Sequence, residues 1–509
     1  NIALMLLFSQ IIAIINRMWR HLKFKDIHYS ALPIAFALGV VACAIVWKFE
    51  LFSLQNLLVI FSLITIASVV LRIFRFNLVF LLGFSVLYLV CVQADLDEQK
   101  VLQFIDQKVA VSGVVSQDIA KKNGTYRITI SNISFNYSKN TLKSQVYAMV
   151  SDVPEDISRS DIVVLEGILK SGFGDYVGFL YRPKIVSCGK PSPPDYAEQA
   201  RSTFSSALRS TINDDKKSNL ALGYLVGEKG KMAEDFTDSL RRIGMTHAVV
   251  ASGFHLGVLI NFAKKHLKKI SRLCALLGSL MFLVAFVAIA GFSPSLARAG
   301  IVTVLSLIAW YFGRRFHPGR IIIYAAAISL LINPSYISNL AWQLSFLSYI
   351  GILIVAPILT RYFFDKKVPG FLANTIIQST SAQILCLPVL IYSYGEFSIL
   401  GIVANLLISP TIAIAMTLSL FAGLSKLANF LPQLIVIPAS ILLGLHIQII
   451  EKLAQIPWAT MKLKQTPVIF MAYPILIIVI LIIKRRSNFS FRPVPELEKS
   501  EKNGKIYTC

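Results

Sequence analysis

The sequence is poor in charge, since only 15% of its 509 residues are Asp, Glu, Lys or Arg, and it contains seven histidines. Soluble domains carry roughly 25% charged residues, so this composition excludes an ordinary soluble globular protein. The six cysteines form no C-x-x-C pair and no cluster with histidine. The sequence therefore predicts no disulfide framework, no metal site and no cofactor.

Apolar residues, by contrast, make up 55% of the chain. They come in blocks of about 20, the length at which a helix crosses roughly 30 Å of hydrocarbon. The pattern predicts an α-helical polytopic membrane protein with about 11 to 13 transmembrane helices. The predicted spans are residues 30–49, 51–71, 76–94, 248–262, 273–292, 296–312, 321–332, 342–359, 371–394, 399–424, 431–450 and 468–483.

The charge that is present has a strong positive bias. The 50 Lys and Arg residues outnumber the 27 Asp and Glu residues, which gives a net charge of +23. Such an excess is typical of proteins that contact acidic lipid or nucleic acid. Basic clusters occupy alternate connections between the spans, and the positive-inside rule assigns those connections to the cytoplasm. The same topology places the polar block 95–247 outside the membrane.

The first part of this polar block, residues 95–190, contains short runs with the apolar/polar alternation of half-buried strands. The apolar phase slips near Asn132, which predicts a β-bulge. Five strands in about 80 residues favour a small extracytoplasmic all-β domain of the OB type, and a small sandwich would fit the pattern equally well. The predicted strands are residues 109–115, 126–135, 145–150, 162–169 and 184–187.

Residues 191–247 change to a helical period. Phe236, Leu240 and Ile243 recur at i, i+4 and i+7, with charged residues on the other faces. This pattern predicts an extracytoplasmic amphipathic helical region at or near the membrane surface. The remaining predicted regions are N-terminal transmembrane helices in 1–94, a second transmembrane domain in 248–486 and a cytoplasmic tail in 487–509.

The densest group of polar and small residues contains His247, Ser252 and His255. On a helix these side chains share one broad face, and Ser252 lies one turn from His255. A Ser/His hydrolase would also need an acid and an oxyanion hole, and a metal site would need further ligands. Because the neighbouring sequence supplies neither, residues that line a hydrated passage or pack helices closely are the favoured interpretation.

Five motifs between about residues 220 and 425 occur in an order that resembles the core signature of ComEC-type competence proteins. Any one of them would be weak, and the ordered set is specific. They are Leu222-Gly223-Tyr-Leu-Val-Gly227-Glu228 with Gly244-Met-Thr246-His247 and Ser252-Gly253-Phe-His255; Gly291-Phe-Ser-Pro294-Ser295-Leu-Ala-Arg298; Trp342-Gln343-Leu344-Ser345-Phe346; Gln383 with Pro388; and Ala404-Asn405-Leu406 with Pro410.

The resemblance implies an inner-membrane channel through which one strand of DNA enters a naturally competent cell. Many members of that family end in a metallo-β-lactamase-like domain that is thought to degrade the other strand. This sequence has no His-x-His-x-Asp-His run and so lacks that domain's metal site. The resemblance therefore carries over no nuclease, and we expect the chain not to be an enzyme.

Polar groups inside apolar spans are costly, so they usually face a bundle interior or water. Within such a passage Arg298 would favour a phosphate backbone, and Pro388, Pro410 and Pro438 would permit broken helices. The alternative for each residue is a structural contact between helices. The predicted channel-lining residues are His247, Ser252, His255, Arg298, Gln343, Ser345, Gln383 and Asn405.

The predicted barrel mixes basic and aromatic residues. Bases can stack on aromatic rings while the cations follow the phosphates, and the alternative is a solvated basic face above inward-pointing rings. The predicted DNA-binding residues are Lys121, Lys122, Arg127, Tyr126, Tyr137 and Tyr147.

The sequence thus favours a multi-pass inner-membrane channel for single-stranded DNA, and a secondary transporter of a smaller anionic solute is the alternative. Lipid and the transported DNA are the expected partners, together with a DNA receptor and a separate nuclease. Because the chain has no phosphate-binding loop for a nucleotide, a cytoplasmic motor ATPase would have to supply the work. Nothing in the sequence indicates an oligomeric state.

The alternating basic clusters make a testable prediction about topology. A reporter fused after Lys122 should report the outside, and one fused after Lys268 should report the cytoplasm, because a single predicted span, 248–262, separates the two positions. Alkaline phosphatase and fluorescent-protein fusions at both positions check this. Both reporters on the same side would contradict the assignment of the span at 248–262.

Overall fold

The computed structural model describes two groups of transmembrane and membrane-associated helices with a β-barrel between them in the chain. The described residues are 32–48, 74–122, 124–136, 141–154, 157–172, 176–191, 195–228, 232–246, 253–291, 294–314, 317–364, 369–427, 433–466, 469–470 and 472–473. The predicted span 51–71, most of the span 468–483 and the predicted tail 487–509 lie outside these residues.

The apolar blocks are helical wherever a predicted span falls within the described residues, so the predicted helical membrane class is confirmed. Within the described residues, six helices are long and apolar enough to cross a membrane: Val79–Leu102, Arg272–Ala290, Leu340–Phe364, Phe371–Tyr394, Leu400–Lys426 and Leu434–Ala454. In chain order the helices are α1 Leu32–Lys48, α2 Phe74–Leu102, α3 Tyr196–Thr211, α4 Asp215–Val226, α5 Glu234–Arg242, α6 Gly253–Leu267, α7 Arg272–Ala290, α8 Pro294–Tyr311, α9 Pro318–Ile332, α10 Leu340–Ile350, α11 Ala356–Phe364, α12 Phe371–Tyr394, α13 Leu400–Leu427 and α14 Gln433–Ala454.

Helices α1 and α2 pack closely because each contributes a glycine at their crossing. A Cβ atom on Gly39 would overlap the carbonyl oxygen of Phe80, and one on Gly83 would overlap that of Phe36. Small residues allow the backbones of membrane helices to approach at such a crossing. The two helices then share a core with α9, which buries Ala325 and its neighbours against them.

The membrane helices are irregular at Gly351–Val355 and not at the three prolines inside α12, α13 and α14. Helices α12, α13 and α14 each continue through their internal proline, so the predicted breaks at Pro388, Pro410 and Pro438 do not occur. Instead, a π-helical turn at Gly351–Val355 joins α10 to α11. A Cβ atom on Gly351 would overlap the carbonyl oxygen of Ser381 on α12, so glycine lets the wider turn pack against that helix.

The barrel occupies the polar block and is OB-like, as the sequence favours; the alternative of a small sandwich is not what forms. The ring order is β1–β3–β4–β6–β5, and β5 pairs back to β1 to close it; β4 and β6 pair in parallel, and the other pairs in the ring are antiparallel. The strands are β1 Lys108–Val115, β2 Ala120–Lys122, β3 Thr125–Phe135, β4 Leu142–Val150, β5 Ile162–Ser171, β6 Gly178–Tyr181 and β7 Lys184–Gly189. Strands β2 and β6 are additional to the five predicted.

The predicted bulge near Asn132 is confirmed. The register between β3 and β4 shifts between Ser131 and Ile133, and Asn132 has a φ of 51°. Asparagine tolerates this left-handed conformation better than most residues. The shift returns Ile133 to the inside, where it is fully buried beside Ile128 and Ile130.

The amphipathic residues of α5 are buried by protein. Phe236, Leu240 and Ile243 have exposed fractions of 4%, 2% and 0%, and they pack in one core with residues of α13 and α14. The apolar face that the sequence assigned to the membrane surface is thus covered by neighbouring helices. A hydrophobic stripe requires an apolar partner, and the stripe alone does not specify which one.

A buried ion network joins the barrel to α3. The Arg201 guanidinium donates to both carboxylate oxygens of Asp118 in the barrel, at 2.8 and 2.5 Å, and lies 3.7 Å from the Glu198 carboxylate. The Arg201 side chain is only 4% exposed. Burial raises the pKa of Glu198, and the charges of Arg159 and Arg201 oppose that rise.

Arg159 extends this network to the membrane helices. It lies in the barrel loop before β5, pairs with Glu198 at 3.1 Å and donates to the carbonyl oxygens of Ala288 at 2.9 Å and Ile289 at 3.5 Å. These carbonyls end α7 and have no partner within their own helix. A cation is favourable at that end of a helix, so Arg159 both caps α7 and fixes the barrel above it.

The network predicts that Arg201→Met destabilises the protein strongly. The change leaves the partly buried Asp118 carboxylate without its cation and leaves Glu198 paired with Arg159 alone. Breaking a buried ion pair costs about 3–5 kcal/mol. Thermal melting of the purified chain should show a large fall. Lys108→Met is the matched control, because its partner Glu166 is solvent-exposed and its loss should change melting little. Equal melting of the two variants would contradict the assignment.

Candidate nucleic-acid interface

Arg298 is held between two membrane helices. Its Nε atom donates a 2.6 Å hydrogen bond to the hydroxyl of Ser345 on α10, and Ser345 lies 3.3 Å from the Ser295 hydroxyl. The guanidinium carbon is 6.0 Å from the ring centre of Phe346 and 5.8 Å from that of Tyr349. Hydroxyl and rings therefore fix a half-buried cation at the start of α8.

The start of α6 meets this cation. A Cβ atom on Gly253 would lie 3.1 Å from the Ala299 Cβ and 3.6 Å from an Nη atom of Arg298. Glycine at this motif position thus allows the helix start to sit beside the guanidinium. His255 lies in the first turn of α6, but its side chain, like all of His247 and Ser252, falls outside the described part of the chain.

The other predicted lining residues make contacts between or within helices. Gln343 donates to the Ile337 carbonyl at 2.8 Å, and the Asn405 amide donates to the Ser379 hydroxyl at 2.6 Å. Gln383 lies where α12 meets Gly401 of α13. Among the described residues, the bond between Arg298 and Ser345 is the one that joins two predicted lining residues directly.

A buried histidine that the sequence did not single out lies in the core of the membrane domain. The Nδ1 atom of His446 is 3.1 Å from the Tyr224 hydroxyl, and its Nε2 atom is 2.7 Å from that of Thr411. Both ring nitrogens are therefore satisfied. Because these residues lie on α14, α4 and α13, the contacts join three helices.

The outer face of the barrel carries a row of aromatic side chains. Tyr147 on β4 is paired in register with Phe179 on β6, and their ring centres are 5.9 Å apart. Phe179 is 6.3 Å from Tyr181, whose ring has Arg182 above it at 5.3 Å. Tyr176 packs on Tyr147 at 5.2 Å. The buried residues of the same strands point the other way, so this row faces outward.

Two of the predicted DNA-binding residues belong to this face. Arg127 is paired with Met149, which in turn is paired with Tyr181, so Arg127 and Tyr147 share the outer side. Burial raises the pKa of Tyr147, while the charge of Arg127 lowers it. Tyr126, one residue away, packs against the barrel core.

The remaining predicted contacts cannot be placed on the face. The side chains of Lys121 and Lys122, and all of Tyr137, lie outside the described residues. The sequence analysis missed Phe179, Tyr181 and Arg182, because the four-residue run Gly178-Phe-Leu-Tyr181 is too short to show a clear strand period. No group of three or more His, Cys, Asp or Glu side chains suited to a metal ion occurs in the described ranges.

Comparison with known proteins connects this site to a family. The family described as Competence protein matches residues 224–487, just over half of the chain. The chain belongs to the competence protein family. The matched region of this family member begins in α4 and includes Arg298 and its partners on α10.

One curated relative resembles the same competence-family chain. ComE operon protein 3 of Bacillus subtilis (strain 168) is 25% identical over 254 residues, which cover 47% of this chain and 31% of the relative. The chain thus spans about a third of the length of that curated relative. No solved structure matches the chain.

Proposed function

We propose that this family member forms the inner-membrane channel that carries single-stranded DNA inward during natural transformation. The observation that carries the proposal is the fixed cation at Arg298, within the family-matched region and beside the start of α6. A preorganised guanidinium in a low-dielectric surrounding attracts a phosphate backbone and needs no reorganisation to do so. His247, Ser252 and His255 remain predicted neighbours of this path.

The barrel supplies the first contact with the strand in this proposal. Its outer row of Tyr147, Phe179 and Tyr181 offers ring faces on which bases stack without regard to sequence. Arg127 and Arg182 place guanidinium groups beside those rings. The Arg127 Nε atom is buried and has no acceptor among the described residues.

The proposal assigns no catalytic step to the chain. Lipid surrounds the apolar helices, and a DNA receptor, a cytoplasmic motor ATPase and a separate nuclease act beside the channel. The arrangement at Arg298 would also suit a transporter of a smaller anionic solute, which is why the uptake experiment below includes one.

If bases stack on the aromatic row, the double variant Tyr147→Ala/Tyr181→Ala should bind a single-stranded oligonucleotide more weakly than the wild type. Each stacked base contributes about 1–3 kcal/mol, so the double variant should weaken single-strand binding about tenfold or more. Fluorescence anisotropy with a labelled oligonucleotide and the purified full chain measures this. Tyr196→Ala is the matched control, because Tyr196 is 73% exposed and lies on α3 rather than on the barrel strands. Unchanged affinity in the double variant would refute the barrel's role.

If Arg298 attracts the phosphate backbone, two substitutions at this position should differ in their effect on DNA uptake. Arg298→Gln should reduce DNA uptake strongly at normal membrane abundance, and Arg298→Lys should retain part of it because the cation remains. Labelled DNA and labelled small anions should be followed side by side in cells that carry each variant. Uptake of the anion that depends on Arg298, without uptake of DNA, would favour the transporter. Uptake that falls only in step with abundance would show a structural role.

A further inference from the structure

Lys264 is a buried cation near the other end of α6. Its exposed fraction is 7%, and its Nζ atom lies 4.2 Å from the ring centre of Trp310 on α8. That Nζ atom has no hydrogen-bond acceptor among the described residues. The neighbouring Lys265 and Lys268 are exposed, so Lys264 alone of these three turns towards α8.

The buried Lys264 ammonium group has no hydrogen-bond acceptor or anionic partner among the described residues, so an anion would stabilise it. The ring of Trp310 attracts a cation, but it does not replace the hydrogen bonds that Nζ would make in water. Lys268, one helical turn further on, adds a like charge, which disfavours the ammonium further. Buried charges are normally paired with an opposite charge, and intramembrane ones usually face a bundle interior or a substrate path.

The position of Lys264 relates it to Arg298. Helices α6 and α8 pack side by side and run in the same direction, since Gly253 meets Ala299 at their beginnings and Lys264 meets Trp310 near their ends. The 11 residues from Gly253 to Lys264 rise about 17 Å. One seam between two helices therefore has a cation over aromatic rings at each end.

We propose that Lys264, seated on Trp310, is a second phosphate-binding site of the DNA path, about 17 Å along the α6–α8 seam from Arg298. The ligand class is the phosphodiester of a single strand. The proposal rests on the proposed function and deepens it, because it gives the path a direction along α6, from the helix start beside Arg298 to the opposite end.

A lipid headgroup would offer the same phosphate chemistry. The burial of Nζ between α6 and α8 favours the transported strand, because a headgroup at the surface would meet the exposed Lys265 and Lys268 first. The experiment must therefore distinguish binding of a lipid headgroup from binding of the DNA strand.

The experiment compares Lys264→Gln with Lys265→Gln, which removes the same charge from an exposed neighbour. DNA uptake per unit of membrane protein should fall at least tenfold in Lys264→Gln and stay close to the wild type in Lys265→Gln. Lys264→Arg should recover part of the uptake. Melting of Lys264→Gln should be unchanged or higher, because the variant removes an unpaired buried charge. A fall in melting that accounts for the lost uptake would overturn the proposal.

Two further arms identify the ligand. The purified full chain in phosphatidylcholine nanodiscs receives a single-stranded oligonucleotide, and the resulting rise in melting temperature should be smaller in Lys264→Gln than in Lys265→Gln. The same proteins are then compared in nanodiscs that contain phosphatidylglycerol. A Lys264-dependent response to phosphatidylglycerol with none to the oligonucleotide would overturn the assignment in favour of a lipid site.

The failure of this proposal is distinguishable from that of the proposed function. If cells without the protein take up DNA normally, the proposed function fails and this inference fails with it. If those cells lose uptake while Lys264→Gln behaves like Lys265→Gln, the channel function stands and the second site is refuted.

Discussion

The buried ion network between the barrel and the membrane helices is the interaction on which the rest of the arrangement depends. Asp118 and Arg159 come from the barrel, Glu198 and Arg201 from α3, and the carbonyls of Ala288 and Ile289 from the end of α7. Charges taken out of water are stable only when their geometry and hydrogen bonds are complete. The network is therefore specific to one placement of the barrel.

That placement brings the barrel to the end of the helices where Arg298 lies. Helix α7 ends at Ala290 and α8 begins at Pro294, so the carbonyls held by Arg159 and the guanidinium of Arg298 are close in the chain. The seam between α6 and α8 leads away from this end, past Arg298 and towards Lys264.

Much of the fold follows from local pattern. Apolar runs of membrane length form helices, and alternation predicted most of the barrel. The slip in the apolar phase predicted the bulge at Asn132, where the structure has a left-handed backbone that asparagine accepts. The four-residue strand β6 is too short to produce a clear period, although it closes the ring. The helix breaks expected at the three prolines do not occur, because a long apolar helix can accommodate a proline when its neighbours satisfy the freed carbonyl.

The candidate site was less predictable, because it depends on which faces meet. The apolar side of α5 indicates only that something covers Phe236 and Leu240, and the partner proved to be protein. Lys264 reads as one of several lysines in a basic connection, and only the packing of Trp310 against it reveals its burial. Arg298 was found through its family motif, while the hydroxyl and rings that fix it come from another helix.

The central claim is that one DNA strand passes from the outer face of the barrel into the seam between α6 and α8. A density map of the full chain in a nanodisc, with a bound single-stranded oligonucleotide longer than the seam, tests it most directly. The account predicts continuous density that passes Tyr147 and Tyr181, with phosphates beside Arg298 and Lys264. An oligonucleotide bound elsewhere, with the α6–α8 seam packed shut in the presence of DNA, would contradict it.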